Sequence, residues 1–286
     1  MREMTLPPVG FGPGSQPGAD EGADLAYVPM PSGMQTYQPR IPFEVERAAY
    51  EAAAPLLEKL RDAARNWQEA AAQAAVFPLD EMSPDGRRLI DETLGEGEVS
   101  IIVAETPRIE IQESVFSGIW RIRRRDGAGN VVADRVEIAP VPSIVRGRTF
   151  AKAAIRAADP ALLAHPSIVN APSILTEIAD HAARYKPGDT GHVINFTLLP
   201  HTPEDLVLIE ATLGPGPTEI LSRGYGNCRI SATGWPHCWW VRFYNSMDTL
   251  ILDTLEIVDV PAVALAARED IEDSAVRIAE VLEALA

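Results

Sequence analysis

An internal repeat constrains the fold of this chain more strongly than any other feature of its sequence. Between residues 77 and 142, 18 of 66 positions carry the same amino acid as the position 119 residues later. The identities include Trp120 with Trp239 and Gly97 with Gly216, and these residue types rarely coincide by chance. The alignment needs no gap. We therefore expect a duplication that gives two similarly folded halves.

A helical region is predicted at the start of each copy. An alanine-rich run indicates helix from about residue 43 to 75, with two helices meeting at Pro55. The offset of 119 places Leu56 on Leu175, within a second helical stretch that begins near Pro172. Both copies therefore begin with a helix that can cover a sheet.

Short helices follow these long ones. Ser83 and Thr202 are suitable N-caps because each precedes a proline, and Gly95 and Gly214 are expected to end the two helices. A last helix is predicted from about residue 260 to 285, with Val276 among its inward-facing apolar residues.

Four strands are expected in each copy. Those of the first are residues 99–103, 108–115, 119–124 and 131–138, and those of the second are 218–222, 227–233, 239–244 and 250–258. Short turns join them in sequence, so each set predicts an antiparallel meander.

These elements define an α+β protein. The predicted fold is two tandem pseudo-symmetric repeats, each with helices plus a mainly antiparallel meander sheet, preceded by a Pro/Gly-rich arm. The arm, residues 1–42, has eight prolines and six glycines and is expected to be flexible. The first α+β repeat is assigned to residues 43–165 and the second to residues 166–286. How the repeats pack against each other is left open.

The charge balance excludes one broad class of function. The chain has 25 basic and 41 acidic residues, a formal net charge of −16 at pH 7 and a pI near 4.7. Non-specific nucleic-acid binding depends on lysine and arginine, so no nucleic-acid partner is expected. The dense basic run in the sequence consists of Arg121, Arg123, Arg124 and Arg125.

The location is inferred from the cysteines and the apolar pattern. Two cysteines are too few for a disulfide framework, and the N-terminus lacks the basic start and apolar run of a secretory signal. The longest apolar stretches fall far short of the roughly 20 residues that span a bilayer. We therefore expect a cytoplasmic protein with reduced thiols and no membrane span.

The two copies differ most at residues 224–229, where the second has Gly-Tyr-Gly-Asn-Cys-Arg. The glycines either admit a partner's backbone or supply positive φ at a tight bend. They precede a strand, so a dinucleotide-binding loop is not indicated. Cys228 is either a structural residue or a reactive thiol that Gly226 and Arg229 would expose and acidify. Both alternatives stay open.

Cys228, His237 and Cys238 are the only grouping of soft metal ligands that the sequence pattern suggests. They offer a secondary alternative, a metal site, although no Cys-x-x-Cys or His-Glu-x-x-His spacing is present. A nucleophilic couple of Cys228 and His237 is also conceivable, and would need a thiol pKa well below about 8.5. Cys238 aligns with Ile119, which favours a packing role. No cofactor is expected.

Aromatic residues are dense on the strand that follows His237. Alternation puts Trp240 and Tyr244 on one side and Trp239 and Phe243 on the other. The side with Trp240 is either an exposed contact patch or a second buried face, and the pattern does not decide between them.

Two carboxylates near the end of each copy recur. Asp134 and Glu137 of the first copy match Asp253 and Glu256 of the second. A catalytic role confined to one copy does not explain this recurrence. We interpret these residues as solvated strand positions or as hydrogen-bond partners of turns.

Residues 224–230 together with 240–261 closely resemble the C-terminal signature of the HupH/HyaF/HoxQ family of hydrogenase expression and formation proteins. Residues 94–100 and the Pro/Gly-rich start extend the resemblance over nearly the whole chain. The resemblance implies an accessory maturation chaperone for an uptake nickel–iron hydrogenase. Such a chaperone would bind the iron-sulfur small-subunit precursor and protect its immature clusters from oxygen before export. The resemblance implies no enzymatic activity.

The partner implied by the resemblance is the hydrogenase small-subunit precursor with its twin-arginine signal, and other hydrogenase accessory proteins are further candidates. The residues predicted to bind the partner are Gly224, Tyr225, Gly226, Asn227, Cys228, Arg229, Trp240, Tyr244, Asn245, Met247 and Asp248. The alternative function is iron-sulfur or metal delivery, with Cys228 and Cys238 as labile ligands.

Overall fold

The computed structural model describes residues 46–68, 74–224 and 226–285. These residues belong to one compact unit that begins at residue 39. The predicted arm at residues 1–42 and the predicted site residue Tyr225 lie outside the described residues. The assigned boundaries of the two repeats stay predictions.

A long helix, an edge strand, a short helix and four meander strands follow each other in the same order in both copies. The helices are α1 (Arg47–Arg65), α2 (Pro84–Leu94), α3 (Ser143–Arg148), α4 (Pro160–Leu163), α5 (Ala171–Arg184), α6 (Pro203–Leu213) and α7 (Arg268–Leu285). The strands are β1 (Ala75–Pro78), β2 (Val99–Val103), β3 (Arg108–Glu113), β4 (Ile119–Arg125), β5 (Val131–Ile138), β6 (His192–Asn195), β7 (Pro215–Ser222), β8 (Asn227–Thr233), β9 (Cys238–Tyr244) and β10 (Leu250–Ile257). Within the described ranges, none of the helices combines the length and apolar character needed to cross a membrane.

The strands form one ten-stranded sheet in the order β1-β5-β4-β3-β2-β7-β8-β9-β10-β6. Every neighbouring pair is antiparallel. The four predicted strands of each copy form a meander, and pairing of β2 with β7 joins the two meanders into a continuous sheet. The predicted α+β class with tandem repeats is confirmed. The short edge strands β1 and β6 were not predicted.

The sheet is covered on both faces. One face carries a core to which both halves contribute, and it contains Trp120, Trp239 and Cys228. The other face carries a separate core under each half, with Ile119 in the first and Cys238 in the second. Since neighbouring residues of a strand point to opposite faces, adjacent positions of β9 belong to different cores.

The predicted caps start both short helices. Ser83 Oγ accepts a hydrogen bond from Gly86 N at 3.2 Å, and Thr202 Oγ1 accepts one from Asp205 N at 3.0 Å. Gly95 and Gly214 end the helices with φ of 54° and 62°, a backbone conformation that glycine adopts without a Cβ clash.

The break predicted at Pro55 is wrong. Helix α1 runs through Pro55, and the described helix ends at Arg65 rather than near residue 75. Pro55 lies on the exposed side of the helix, whereas Leu56, Leu57 and Leu60 are buried. Burial of this apolar face offsets the hydrogen bond that proline cannot donate.

The offset between the copies changes near their starts. Ile138 pairs with Ala75, and its counterpart Ile257 pairs with His192. The edge strands therefore correspond at an offset of 117, and the ungapped alignment is wrong here.

The long helices correspond at an intermediate offset. Their buried residues match at an offset of 118 residues. The matched sets are Ala53, Leu56, Leu57, Leu60 and Ala64 of α1, and Ala171, Ile174, Leu175, Ile178 and Ala182 of α5. Leu56 is thus equivalent to Ile174 and not to Leu175. The buried face of the helix decides the correspondence, and identity at single positions does not.

The segment after each meander crosses to the other half. Helix α7 packs on α1, and Ser274 Oγ and Arg277 Nη1 donate to the carbonyl oxygens of Ser117 and Val115, both at 3.0 Å. In the opposite direction, Ala154 N donates to Gly234 O at 3.0 Å. The two halves are therefore interlocked.

Helix α7 differs from its prediction in its start and in one inward position. It begins at Arg268 rather than near residue 260. Ile271, Ala275 and Ile278 form its buried face, and Val276 is 55% exposed because it lies off that face. The prediction that Val276 packs inward is wrong.

Candidate functional site

Most of the predicted partner-binding residues lie at one end of the second half's sheet. The β7–β8 turn and the β9–β10 turn leave the sheet at the same end, where Asn227 pairs with Tyr244. We call this surface the turn face, and it comprises Gly224, Gly226, Asn227, Arg229, Tyr244, Asn245, Met247 and Asp248. The alternating strand pattern and the turn residues of the sequence are therefore sufficient to predict that these residues lie at the same end of the sheet.

Asn245 builds the β9–β10 turn. Its Oδ1 accepts hydrogen bonds from Met247 N at 2.9 Å and Thr249 N at 3.0 Å. This pattern is an Asx turn, in which a side chain substitutes for a backbone acceptor. The role of Asn245 that the structure shows is to hold the turn.

The first half has the same turn with different tips. Asp126 Oδ1 accepts from Ala128 N and Asn130 N, each at 2.9 Å. Ala128 therefore stands where the second half has Met247, and Gly129, with φ 86°, stands where it has Asp248, with φ 56°. A shared turn thus presents a methionine in one half and an alanine in the other.

Three exposed apolar residues, which we call the apolar strip, follow each other along the chain from the second turn into β10. Met247 is 83% exposed, Leu250 44% and Ile251 56%. Val131 and Val132 occupy the positions of Leu250 and Ile251 in the first half and are also exposed. Adjacent exposed apolar side chains are typical of a surface that contacts another protein.

Gly226 is required by the β7–β8 turn, and Gly224 lies close to the end of the Glu98 side chain. A Cβ at Gly224 would lie 2.0 Å from Glu98 Oε2, and Gly226 has φ of +97°. Arg223 N also donates to Glu98 O at 3.1 Å, which anchors the turn to the first half. Of the two alternatives for the glycines, the structure shows a tight bend and a close internal contact.

Cys228 is buried, so of the two alternatives the structure supports the structural residue and not the exposed, acidified thiol. Its side chain is 1% exposed and packs in the core shared by the two halves. Burial, with a smaller contribution from Glu256, raises the pKa of the Cys228 thiol to about 12. Gly226 and Arg229 are exposed, but the inward strand position of Cys228 decides its environment.

Cys238 lies on the opposite face of the sheet from Cys228. It is fully buried in the core of the second half, as its alignment with Ile119 predicted, and burial raises its pKa to about 12. Two ligands on opposite faces of a sheet cannot hold one ion. The alternative metal site of Cys228, His237 and Cys238 is therefore wrong. The two thiols also cannot hold one metal ion or cluster together for delivery.

His237 is held in a tight turn beside aromatic rings. Its φ is 58°, and its ring centroid lies 5.6 Å from that of Phe150 and 4.9 Å from that of Tyr185. Burial lowers the pKa of the imidazole, against a smaller opposing effect of Asp259. Gly118, the equivalent residue, also has positive φ, so the turn requires this conformation in both halves.

Trp240 belongs to a buried face and not to an exposed patch. It is 5% exposed, its Nε1 donates to Asp253 Oδ1, and the Arg242 guanidinium lies 4.4 Å from the ring centroid. Its assignment as a partner-binding residue is wrong. Tyr244 lies four residues later on the same side of β9 and is half-buried at the end of the strand.

The recurring aspartates are buried ion-pair partners, and their interpretation as solvated positions is wrong. Asp134 is 3% and Asp253 6% exposed. Arg121 Nη2 donates to Asp134 Oδ2 at 2.6 Å. Burial raises the pKa of Asp253, opposed by the hydrogen bond from Trp240 and by Arg242.

Of the recurring glutamates, Glu137 is buried and Glu256 is half-buried. Glu137 is fully buried and accepts a hydrogen bond from Ser143 N at 2.6 Å. Burial raises the pKa of Glu256. The Glu137 contact fits the interpretation of these residues as partners of turns.

A comparison with protein families decides the assignment. The model for "HupH hydrogenase expression protein, C-terminal conserved region" matches residues 51–157 and again residues 168–285. The chain belongs to this family. One match falls in each half, as expected for a duplicated family domain.

Relatives cover nearly the whole chain. Hydrogenase expression/formation protein HupH of Rhodobacter capsulatus is 48% identical over 283 residues, which cover 98% of this chain and 98% of the relative. Hydrogenase expression/formation protein HoxQ of Cupriavidus necator is 40% identical, with coverage of 99% and 98%. Hydrogenase-1 operon protein HyaF of Escherichia coli is 32% identical, with coverage of 96% and 95%. These matches confirm the resemblance seen in the sequence.

This HupH-family chain also has a basic cleft that sequence reasoning missed. The cleft has a volume of about 1110 Å³, and its basic lining residues are Arg108, Arg148, Lys152 and Arg156. It lies where the halves join, beside the hydrogen bond from Ala104 N to Pro217 O at 2.7 Å. The available signal was a stretch, residues 146–156, with four basic residues and no acidic one.

Proposed function

We propose that this chain is an accessory protein of hydrogenase formation that binds the iron-sulfur small-subunit precursor before export and shields its immature clusters from oxygen. Membership of the HupH family supports the hydrogenase role. The observation that carries the binding role is the exposed apolar strip of Met247, Leu250 and Ile251 on the turn face. Exposed methionine adapts its shape to a partner surface, as a chaperone contact requires.

The net charge supports a basic client. A chain with a charge of −16 attracts a twin-arginine signal over the range of a Debye length and raises the rate of association. Asp248 places one such charge next to Met247 on the turn face. The apolar strip then supplies contact area, and the acidic surface supplies long-range attraction.

The proposal assigns no reaction to the chain. Its two cysteines are both buried, and their pKa values are raised to about 12, so neither suits a thiol nucleophile at neutral pH. The same burial argues against cluster delivery through Cys228 and Cys238. Shielding of a client's clusters needs a covering surface and no ligand from the chaperone.

The proposal is tested by capture of the chain from hydrogenase-expressing cells under low oxygen. We expect Met247→Asp to lower recovery of the small-subunit precursor at least fivefold and to lower hydrogenase maturation in air more than in anaerobic culture. Ala128→Asp, at the equivalent tip in the first half, is the matched control and is expected to leave recovery within twofold of wild type. Equal recovery and equal maturation in air for both variants would contradict the proposed role of the turn face.

A further inference from the structure

Three potential metal ligands converge on the surface of the second half, away from the turn face. The ligand atoms of Glu177, His181 and His192 all lie within 4.8 Å of one another. His192 Nε2 is 2.7 Å from Glu177 Oε1, and the rings of His181 and His192 stack in parallel with centroids 3.6 Å apart. The side chains of His192 and Glu177 are 31% and 48% exposed, so the group is open to solvent.

The fold brings these side chains together from two elements. Glu177 and His181 are four residues apart on α5, so they lie on one face of the helix. His192 begins the edge strand β6, where it pairs with Ile257 of β10. A Glu-x-x-x-His spacing in a predicted helix was the available sequence signal. The strand that supplies the third ligand was not predicted.

We propose that Glu177, His181 and His192 bind a divalent first-row transition metal ion, with Zn²⁺ as the reference ion. Two imidazoles and one carboxylate form a ligand set that proteins use for such ions. With Zn–N distances of about 2.0–2.1 Å, two ligand atoms of a tetrahedral site lie about 3.3 Å apart. The ligand atoms now lie within 4.8 Å of one another, and metal binding would require the partly exposed side chains to rotate to that separation.

The surroundings leave room for the remaining coordination positions. A cavity of about 130 Å³ adjoins the group and is lined by His181, His192, Tyr185, Asp189 and Arg184, among others. This volume holds several water molecules, each with a share of about 30 Å³ in the liquid. Asp189 adds a negative charge to the lining.

The positive charge in the lining is already paired. Arg184 forms an ion pair with Asp180, one turn earlier on α5. The arginine therefore adds little net repulsion for a bound cation. Its paired state is compatible with the ligand group beside it.

The repeat shows that the shared fold does not need these ligands. At the offsets found for the helices and edge strands, the first half has Lys59, Ala63 and Ala75 in the equivalent positions. None of the three is a metal ligand of this type, yet the first half has the same helix over the same edge strand. The ligand group is thus a property of the second half alone.

The experiment is titration of the untagged, chelator-treated full chain with Zn²⁺ by calorimetry, and with Co²⁺ by visible absorption. We expect one equivalent to bind and Co²⁺ to give the intense visible bands of a low-coordinate site. His181→Ala and His192→Ala are expected to weaken binding at least tenfold each. His165→Ala, an exposed histidine outside the group, is the matched control and is expected to bind like wild type.

A second readout separates loss of binding from loss of fold. Zn²⁺ is expected to raise the thermal midpoint of wild type and of His165→Ala, and to leave the midpoint of the two ligand variants unchanged. Circular dichroism should show the same folded spectrum for all four chains. Absence of saturable binding in wild type, or undiminished binding in both ligand variants, would overturn the proposal. The inference is independent of the hydrogenase role, because no client is present in the assay.

Discussion

Ile101 pairs with Ile220 at the centre of the ten-stranded sheet, and the two residues occupy the same position in the two copies. On either side, Ser100 pairs with Leu221 and Ile102 with Glu219, so the register is symmetric about this pair. The chain thus joins its halves as a two-fold homodimer would join two subunits through identical edge strands.

Stability is expected to depend on this central pair. Ile101 and Ile220 are each 1% exposed. We expect Ile101→Ala to lower the free energy of unfolding by about 2–5 kcal/mol, because it leaves a cavity in the shared core. Ile102→Ala, at a position 38% exposed on the same strand, should cost less than about 1 kcal/mol. Urea unfolding followed by tryptophan fluorescence measures both values, and similar losses for the two variants would contradict the central role of Ile101.

Separate expression of the halves is expected to fail. Helix α7 completes the core around α1, and Ile278 of α7 is fully buried there. A chain limited to residues 166–286 should therefore expose this helix and bind a hydrophobic dye. In the full chain, Ile278→Ala should lower the free energy of unfolding by about 2–5 kcal/mol, while Val276→Ala should stay within about 0.5 kcal/mol. A folded, monomeric 166–286 fragment with no dye binding would count against the interlocked arrangement.

Asp205 is expected to make the protein sensitive to acid. Burial raises the pKa of its carboxyl, but hydrogen bonds from the backbone N–H groups of Thr202, Ala171, Val169 and Asn170 outweigh burial, so the net pKa is lowered. The stability from this shift is present above the ordinary pKa of about 3.9 and is lost as pH falls through the lower folded value.

The Asp205 prediction is checked by unfolding at several pH values. Asp205→Asn should lower the free energy of unfolding at pH 7 by about 1–3 kcal/mol, because the amide meets these donors with one oxygen. It should also flatten the decline of stability below about pH 4. An unchanged slope in the variant would show that other carboxyls cause the acid sensitivity.

The thiols are expected to react slowly while the protein is folded. A pKa of about 12 for Cys228 and Cys238 lowers the thiolate fraction at neutral pH roughly a thousandfold relative to an ordinary cysteine. Labelling with a disulfide reagent should be slow without denaturant and reach two thiols per chain with it. Rapid labelling of one thiol in the folded protein would contradict the buried position of that cysteine.

The same thiols predict a loss of stability at alkaline pH. Their folded pKa values are raised, so their contribution is fully present below the ordinary value of about 9 and declines as pH rises toward 12. Cys228→Ala should reduce this alkaline decline, measured as the change in the urea midpoint between pH 8 and 10. An identical decline in wild type and variant would assign it to other groups.

The sequence was sufficient for the parts of the fold that depend on local patterns. Ser83 and Thr202 cap their helices, and the meander strands lie where alternation and turn residues indicate. Prediction failed where a distant partner decides the outcome. Pro55 is tolerated because the opposite helix face is buried, and Cys228 is buried because its strand position points into a core built by both halves.

In the candidate site, too, the features set by local patterns could be predicted and those set by distant residues could not. The turns that carry Asn245 and Met247 were recognisable from composition and position, since an Asx turn is a local structure. The basic cleft and the Glu177, His181 and His192 group could not be assembled from local patterns. The cleft needs a segment that crosses between halves. The ligand group needs an edge strand of four residues that is shifted by two residues from the apparent alignment.

Because β2 pairs antiparallel with β7, the β4–β5 turn of the first half and the β9–β10 turn of the second half lie at opposite ends of the sheet. A symmetric dimer would offer the same tip at both ends and would bind two equal clients. Here one end carries Met247 and the other carries Ala128. Under the proposed function, a client that recognises the methionine tip would bind at one end of the sheet only, and we would expect a one-to-one complex with a defined direction.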